Sequence, residues 1–303
     1  MKNNKYIFYI LGLIVLFFFI KDINNTRTVS KSEEDQLEIV LNTIVDEYDR
    51  PQVSGLVSNL PWRNNSDFLM TKEEYETPIL MAGFCAVLKN PLPGEAYNVA
   101  LASDSMKGIV LKPSEIFSMN GLIGPYNKSK GYKEGASYSD GNIVMTEGGG
   151  VCKIATISYN LAVLSDLEII ERYHHSMPIN YVPYGQDATV FYGVKDIKFK
   201  NTTGNNILIW SQMIDHRLYM AFYGLEKPPH ISWNHEISNI IEPPTKYIQN
   251  PNLDKGKINI VTQGLEGADV QSSITKIYQD GRIKTENMGI SKYRPLAKLV
   301  EVN

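Results

Sequence analysis

The spacing of apolar residues predicts a helix in the middle of the chain, directly after a run of glycines. This helix is expected to begin near residue 151 and to end around residues 165–166, because apolar residues recur there every three to four positions. Its apolar face consists of Ile154, Ile157, Leu161 and Leu164. The stretch EGGGVCKIATISYN, residues 147–160, therefore places Cys152 in the first helical turn.

Two more helices are predicted towards the N-terminus. Residues 35–50 have apolar positions at helical spacing, and residues 95–108 have a helical pattern that ends at a glycine. Prolines interrupt residues 51–95, which we expect to be irregular. Residues 113–135 are punctuated by glycine, and we expect loops with short extended pieces there.

Apolar and polar positions alternate after the central helix, and this alternation is the period of a strand. It covers residues 196–224, where TTGNN and MIDHR are candidate hairpin turns. Residues 245–303 have short strand patterns without a helical period, and QDGR is a further hairpin turn. A helix cluster followed by antiparallel strands predicts an α+β fold that ends in a small all-β module.

An unbroken apolar segment at residues 6–20 follows Lys2 and Lys5. As a helix it would be about 22 Å long, and flanking lysines can extend it across a hydrocarbon core of ~30 Å. No small-residue cleavage site follows, so we expect an uncleaved signal-anchor in the cytoplasmic membrane rather than a cleaved signal peptide or a buried helix. The preceding positive charge predicts a single-pass protein with most of its chain outside the cytoplasm.

These patterns divide the chain into five segments. The signal-anchor at 1–21 precedes a linker and a helical or irregular region at 22–95. The main domain at 96–224 is joined by a linker at 225–244, which two proline pairs bracket, to the β module at 245–303.

Composition and charge exclude several classes of partner. The 303 residues include 30 Lys and Arg against 33 Asp and Glu, so the chain has no basic field for nucleic acid. Two cysteines, Cys85 and Cys152, are too few for a disulfide scaffold, although one bridge between them would suit an oxidising compartment. No Cys and His residues have zinc-site spacing and no nucleotide-binding motif is present, so we expect neither metal nor cofactor.

Cys152 has the sequence context of an activated thiol. A thiol attacks as its thiolate, which the N–H groups and the positive dipole end of a helix N-terminus stabilise. Gly148, Gly149 and Gly150 would allow close approach of a substrate to the backbone, or a tight turn. The same N–H groups are candidates for an oxyanion hole in acyl transfer.

A nucleophilic cysteine also needs a base and a group that orients the base. His174 and His175 begin an extended segment, and neighbouring strand residues point to opposite faces, so only one of them can reach the sulfur. Asp187 in YGQDATV is the candidate orienting residue. The order Cys, His, Asp is similar to that of transglutaminase-like and papain-like enzymes.

Each of these residues also has a structural interpretation. Free cysteine is among the most buried residue types, and consecutive glycines commonly form a turn. The histidines fit hydrogen-bonded surface positions, and Asp187 fits a turn cap. The residues alone leave both interpretations of Cys152 open.

Longer motifs resemble the VanW-like family. GGGVCKIATISYNLAVL at 148–164 and the segment from LEIIERYHHS to KFKN at 167–201 carry the resemblance, and NVALASDSMKGIVLKPSEIFSMNGLIGPYNKSKGYKEG at 98–135 agrees with it. The resemblance covers about residues 96–224. It implies an envelope protein of Gram-positive type, in a family named after an accessory gene of glycopeptide (vancomycin) resistance clusters, and it implies no particular reaction.

The family motifs fall on particular residues of this chain. The "ER-x-x-HS" motif includes His175, which the resemblance thereby selects over His174, and the "G-x-DATV" motif includes Asp187. Combined with the thiol chemistry above, the matched positions give a candidate catalytic set of Cys152, His175 and Asp187. The implied substrate-binding residues are Gly148, Gly149, Gly150, Arg172 and Ser176.

Two positions depart from the family pattern. Lys153 stands where the family usually has Gln, and Ser114 stands where it usually has Gly. If a Gln beside the cysteine contributes to an oxyanion site, a lysine there weakens the enzymatic interpretation.

The last segment, from about Thr245 to Val302, resembles a G5 module. TKYIQNPNLDKGKINIVTQGLEG, the YQDGR hairpin and Pro295 carry this resemblance, while the usual closing glycine is absent. G5 modules are all-β, often accompany cell-wall enzymes, and have been proposed to bind glycan or peptidoglycan. The two resemblances imply a membrane-anchored envelope protein that acts at or binds peptidoglycan or a wall peptide. It would be either a Cys/His-dependent enzyme on amide or peptide bonds, or a non-catalytic wall-binding or assembly protein.

Overall fold

Strands with alternating apolar residues build a five-stranded antiparallel sheet, which carries the core on both of its faces. A computed structural model describes residues 48–139 and 142–303. The apolar segment at 6–20 lies outside the described residues, as does nearly all of the helix expected at 35–50. In the described part of the chain, no helix has the length and apolar character needed to cross a membrane.

The described residues contain four α-helices and sixteen strands. The helices are α1 (Ser66–Glu74), α2 (Glu95–Met106), α3 (Met119–Ile123) and α4 (Cys152–Leu164). The strands up to α4 are β1 (Gly55–Leu56), β2 (Ile79–Val87), β3 (Ile109–Leu111), β4 (Ile116–Ser118), β5 (Glu134–Ser139) and β6 (Asn142–Glu147). After α4 come β7 (Glu168–Glu171), β8 (Lys198–Lys200), β9 (Ile207–Ile214), β10 (Arg217–Gly224) and β11 (His230–Ile241). The last strands are β12 (Thr245–Gln249), β13 (Ile258–Thr262), β14 (Gly267–Ile277), β15 (Ile283–Tyr293) and β16 (Lys298–Val302).

The central sheet has the order β1-β2-β10-β9-β3 and separates two apolar cores. Successive side chains of a strand point to opposite faces, so Phe84 and Ala86 of β2 enter the larger core. Cys85 enters the smaller one, beside Trp210 and Tyr219. Each face of the sheet therefore packs against apolar side chains, and these side chains shield the strands from water.

Helix α4 packs on the larger core, close to β2 and β10, and its bounds agree with the predicted helix. Ile154, Ile157 and Leu161 are fully buried, as the apolar period predicts. The helix is buried on its polar side as well, where Thr156 and Asn160 are also inaccessible. Buried polar groups need partners, and these two residues bind the backbone of residues 186–188, as described below.

The region at 51–95 is not irregular as expected, because its prolines fall between elements rather than within them. Pro61 precedes α1, Pro78 precedes β2, and Pro91 lies between β2 and α2. Strand β2 is consequently intact and occupies a central position in the sheet, paired with β10 on one side and β1 on the other. The predicted helix at 95–108 agrees with α2.

The C-terminal part is all-β, and the fold class α+β with a small all-β module is confirmed. It forms one sheet of order β11-β14-β15 and another of order β12-β16-β13. The linker expected at 225–244 is wrong in its middle, because residues 230–241 form β11 and pair with β14 along most of their length. Residues 48–303 cluster as a single compact unit, so main domain and β module share contacts.

The hairpin predictions had different outcomes. MIDHR joins β9 to β10 and QDGR joins β14 to β15, both as predicted. TTGNN does not close a hairpin, because the strands on its two sides belong to different sheets. Strand β8 pairs with β4 and β7, whereas β9 lies in the central sheet.

Candidate active site

The three glycines form the tight turn that delivers the chain into α4. Gly148 and Gly150 have φ angles of +72° and +104°, which side chains rarely permit. A Cβ on Gly148 would also lie 2.6 Å from Tyr126, so the turn has no room for one. The structural interpretation of the glycines is therefore correct, and the turn places the next residues at the exposed front of the helix.

Cys152 is the first residue of α4 and faces a cleft of about 600 Å³. The β5–β6 hairpin contributes one wall and the loop after Thr189 contributes another. Phe191 and Tyr192 of that loop line the cleft and are more than half exposed. The cysteine is thus half-buried beside a space that admits a ligand.

His175 lines the same cleft as Cys152, close enough for its hydrogen bonding and charge to lower the pKa of the thiol. Its Nδ1 lies 2.7 Å from Oδ2 of Asp187, which leaves Nε2 as the ring nitrogen available to the sulfur. The same carboxylate oxygen accepts a hydrogen bond of 2.6 Å from the backbone N–H of His175. The structure thus joins Cys152, His175 and Asp187 in one chain of contacts, in the order that the sequence predicts.

His174 occupies a different environment. Its Nδ1 lies 2.6 Å from the carbonyl oxygen of His175, and its ring packs edge-on against Tyr293. Of the two adjacent histidines, His175 is the one that reaches the sulfur. This agrees with the choice that the family motif implies.

Asp187 is held by the polar side of α4. Oγ1 of Thr156 donates to the carbonyl of Ala188 at 3.0 Å and accepts from its N–H at 3.1 Å. Nδ2 of Asn160 donates to the carbonyl of Gln186 at 2.7 Å. Asp187 lies between these two anchored residues, and its side chain is 1% exposed. The buried polar residues of the helix therefore position the carboxylate.

Arg172 and Ser176 contact other groups of the protein rather than the cleft. Arg172 donates from Nε to the carbonyl of Asp187 at 2.8 Å and from a terminal nitrogen to Oδ1 at 3.0 Å. Ser176 is exposed, and its carbonyl accepts a hydrogen bond of 2.8 Å from the N–H of Arg294. Neither residue lines the cleft at Cys152, whereas Gly148 and Gly150 do. Arg172 orients the carboxylate instead.

The electrostatics of the site favour an ion pair between sulfur and imidazole. Burial would raise the pKa of the Cys152 thiol, but the hydrogen bond and charge of His175 outweigh it and lower the pKa to about 7. Burial likewise opposes a charged His175, but hydrogen bonds to Asp187 and Cys152 raise its pKa to about 9. Against the same desolvation, His175 and Arg172 lower the pKa of Asp187 to about 2. Between about pH 7 and 9, the pair is thiolate and imidazolium.

Sequence reasoning assigned no role to Thr189 or to Glu95. The hydroxyl of Thr189 lies 3.3 Å from the sulfur, where it can donate to a thiolate, and the motif "G-x-DATV" was the available signal for it. Glu95, the first residue of α2, forms an ion pair with Lys153. The amine of Lys153 also lies 4.6 Å from the centre of the Tyr181 ring. The lysine that departs from the family pattern is therefore charge-paired at the edge of the cleft.

The two cysteines are both free thiols, so the bridge considered between them is absent from this structure. Cys85 points into the smaller core on the far face of the central sheet. Cys152 points into the cleft. The two side chains lie on different layers of the fold.

The fold and the site define a class of protein: an α+β domain that carries a Cys–His–Asp contact chain at the front of a buried helix. Residues 94–223 match the family model described as VanW like protein. The matched residues include the whole contact chain.

Two curated proteins are similar to part of the chain. The chain is 31% identical over 128 residues to YoaR of Bacillus subtilis (strain 168), which covers 42% of each chain. It is 27% identical over 139 residues to the vancomycin B-type resistance protein VanW of Enterococcus faecalis (strain ATCC 700802 / V583), covering 44% of this chain and 50% of that one. The match thus spans about half the length of each relative.

Two solved G5 structures are also similar to part of the chain. The structure of HP0197-G5 matches 24% of this chain at 13% identity and a TM-score of 0.15, with 99% of that structure covered. The IgA1 protease G5 domain matches 26% at 19% identity and a TM-score of 0.16, with 94% covered.

Proposed function

We propose that this protein is a membrane-anchored, extracytoplasmic envelope protein that cleaves or transfers amide or peptide bonds in the stem peptides of peptidoglycan. Cys152 would be the nucleophile, His175 its acid–base partner and Asp187 the group that orients the imidazole. The contact chain from the sulfur to the buried carboxylate, at the wall of a cleft, is the observation that carries the proposal.

The reaction follows the chemistry of an activated thiolate. The Cys152 thiolate attacks the carbonyl carbon, and the tetrahedral intermediate collapses as the C–N bond breaks. The His175 imidazolium gives its proton to the departing amine, which leaves a thioester on Cys152. His175 then takes a proton from water, or from an acceptor amine, as that nucleophile attacks the thioester, the C–S bond breaks, and the acyl product and the Cys152 thiolate are released.

The negative oxygen of the intermediate needs donors at the helix front. The N–H groups of Val151 and Lys153 are used within the turn, as donors to the carbonyls of Gly148 and Gly150. The N–H of Cys152 itself would therefore donate to the oxyanion. Lys153 is not assigned this role, because its amine is paired with Glu95.

Peptidoglycan is the substrate that the relatives favour. The E. faecalis relative is named for vancomycin B-type resistance, and the envelope is where a glycopeptide antibiotic meets the cell. The apolar segment at 6–20 would tether the chain to the outer face of the membrane, beside the wall.

The test uses the full chain in mild detergent, incubated with purified peptidoglycan. The enzyme proposal expects released peptide fragments or new cross-links by mass spectrometry, and their loss in Cys152→Ala. A wild-type protein that binds the peptidoglycan without changing any bond would contradict catalysis. That outcome would support the alternative of a non-catalytic wall-binding or assembly protein.

A further inference from the structure

The end of β15 lies along the segment that carries His175. Ser291 accepts a hydrogen bond of 2.9 Å from Arg172, and the N–H of Arg294 donates to the carbonyl of Ser176 at 2.8 Å. Between them, Tyr293 packs against the ring of His174. Residues 291–294 of the β module thus run alongside residues 172–176 in the same direction, although more than 100 residues separate the two segments in sequence.

Tyr293 reaches furthest into the site. Its side chain is nearly inaccessible, and its hydroxyl donates to Oδ1 of Asp187. The same hydroxyl accepts a hydrogen bond of 2.9 Å from the N–H of Gly185. Burial and the charge of Asp187 raise the pKa of Tyr293 far above its ordinary value, so the hydroxyl stays protonated and remains a donor.

The two oxygens of the Asp187 carboxylate have different hydrogen-bond partners. Oδ1 accepts from Tyr293 and Arg172, and Oδ2 accepts from the backbone and ring of His175. Because Oδ1 is held by buried hydrogen bonds, the carboxylate cannot rotate Oδ2 away from His175 without breaking them. A buried hydrogen-bonding group that loses its partner costs free energy. Without Tyr293, Arg172 alone would hold Oδ1.

We propose that Tyr293 is a positioning residue for the Cys152 site, so that the C-terminal β module completes the reactive centre rather than only accompanying it. The inference rests on the roles assigned above to Cys152, His175 and Asp187. Without the Tyr293 hydroxyl, the carboxylate of Asp187 is held less firmly. It then stabilises the His175 imidazolium less, and the imidazolium in turn stabilises the Cys152 thiolate less.

The test is the pH dependence of Cys152 alkylation by iodoacetamide in the full chain, followed by mass spectrometry of the Cys152 peptide. Tyr293→Phe should move the midpoint upward by about 0.5–1 pH unit, and Asp187→Asn should move it in the same direction by about 1–2 units. Tyr184→Phe is the matched control. The ring of Tyr184 packs at a tilt against Tyr293 and its hydroxyl donates to the carbonyl of Glu266 rather than to Asp187. Its midpoint should equal that of the wild type.

The outcomes separate this inference from the proposed function. If Asp187→Asn moves the midpoint and Tyr293→Phe does not, the positioning role is wrong while the catalytic set stands. If neither variant moves it, the catalytic set fails and the positioning role fails with it. Should Tyr293→Phe not fold, Ser291→Ala, which removes a partner of Arg172, is expected to shift the midpoint upward by a smaller amount, and an unchanged midpoint would overturn the proposal.

Discussion

Cys85 and Cys152 carry the same thiol in opposite surroundings. Cys85 is fully buried in the middle of β2, where desolvation outweighs its hydrogen bond to Tyr219 and raises its pKa to about 12. Cys152 lies at the front of α4 beside His175, and its pKa is about 7. The difference does not come from burial alone, because desolvation opposes ionisation at both sites.

The two sites differ in how strongly a cation supports the thiolate, because only Cys152 has a cation that lowers its pKa through both hydrogen bonding and charge. Cys85 packs among aromatic side chains, and the charge of Arg217 lowers its pKa less than burial raises it, whereas Cys152 faces an imidazole that a buried carboxylate keeps protonated. Strand alternation places Cys85 in a core, and the glycine turn places Cys152 at a helix end. Backbone position thus decides which thiol can react, and each prediction below tests that contrast.

The largest effect is expected on bond cleavage. Cys152→Ala should abolish the release of peptide fragments from peptidoglycan, because no other thiol lines the cleft among the described residues. Cys85→Ala should retain it. Equal loss of product in both variants, at matched folded concentration, would show that the contrast between the thiols is not chemical.

The next effect is expected on thiol labelling of the native chain. At pH 7.5, iodoacetamide should modify Cys152 at least about 10³-fold faster than Cys85, because a thiol with a raised pKa and no access to solvent is inert. Cys85 should react once the chain is unfolded in denaturant. Mass spectrometry of the two cysteine peptides follows both rates, and labelling of Cys85 in the folded chain would contradict the structure.

Replacement of His175 should make Cys152 resemble an ordinary thiol. With His175→Ala the pKa of Cys152 is expected to rise from about 7 towards 9 or higher, since the hydrogen bond and charge that lower it are lost. The thiolate fraction at pH 7 then falls about 50-fold, and the greater nucleophilicity of a more basic thiolate offsets part of this, which leaves a drop of about 5- to 10-fold. His174→Ala is the matched control and should leave the rate of alkylation unchanged within about twofold.

Activity should depend on pH as a bell with limbs near 7 and 9. Below about pH 7 the sulfur is protonated and cannot attack, and above about pH 9 His175 has lost the proton that the leaving amine requires. Both limbs belong to the coupled pair rather than to one residue. A rate of fragment release that keeps rising through pH 10 would exclude His175 as the acid.

The smallest effect is expected on stability. Here replacement of Cys85 should have the larger effect and replacement of Cys152 the smaller one. Cys85→Ala should lower the free energy of unfolding by about 1–2 kcal/mol, because it opens a gap among fully packed residues. Cys152→Ala should change it by less than about 1 kcal/mol, since the residue borders a cleft. Denaturant unfolding of the two variants measures both values.

The local parts of the site were predictable from the sequence. The helical period and the glycine run placed Cys152 at a helix front, and the strand rule limited the base to one of two adjacent histidines. The contact of Arg172 with Asp187 was not predicted, since a motif cannot show which way an arginine turns. Tyr293 carried no signal, because it meets Asp187 only through the packing of elements distant in the chain.

The same limit explains the errors in the fold. Prolines at 51–95 indicated irregular structure, but whether a proline breaks a strand or borders one depends on pairing with a distant partner. The 225–244 segment has polar positions and two proline pairs, and its strand β11 is defined by the ladder to β14. In both places tertiary pairing outweighed the local pattern.

The pairing of β2 with β10 has a consequence for the order of assembly. These strands are separated by on the order of 130 residues, and a chain made from its N-terminus must wait for the second before the central sheet can close. Tyr293 emerges later still. A chain synthesised only as far as α4 would therefore hold Cys152 as an ordinary thiol, and its reactivity would develop only after β10 and Tyr293 have been made and have folded against it.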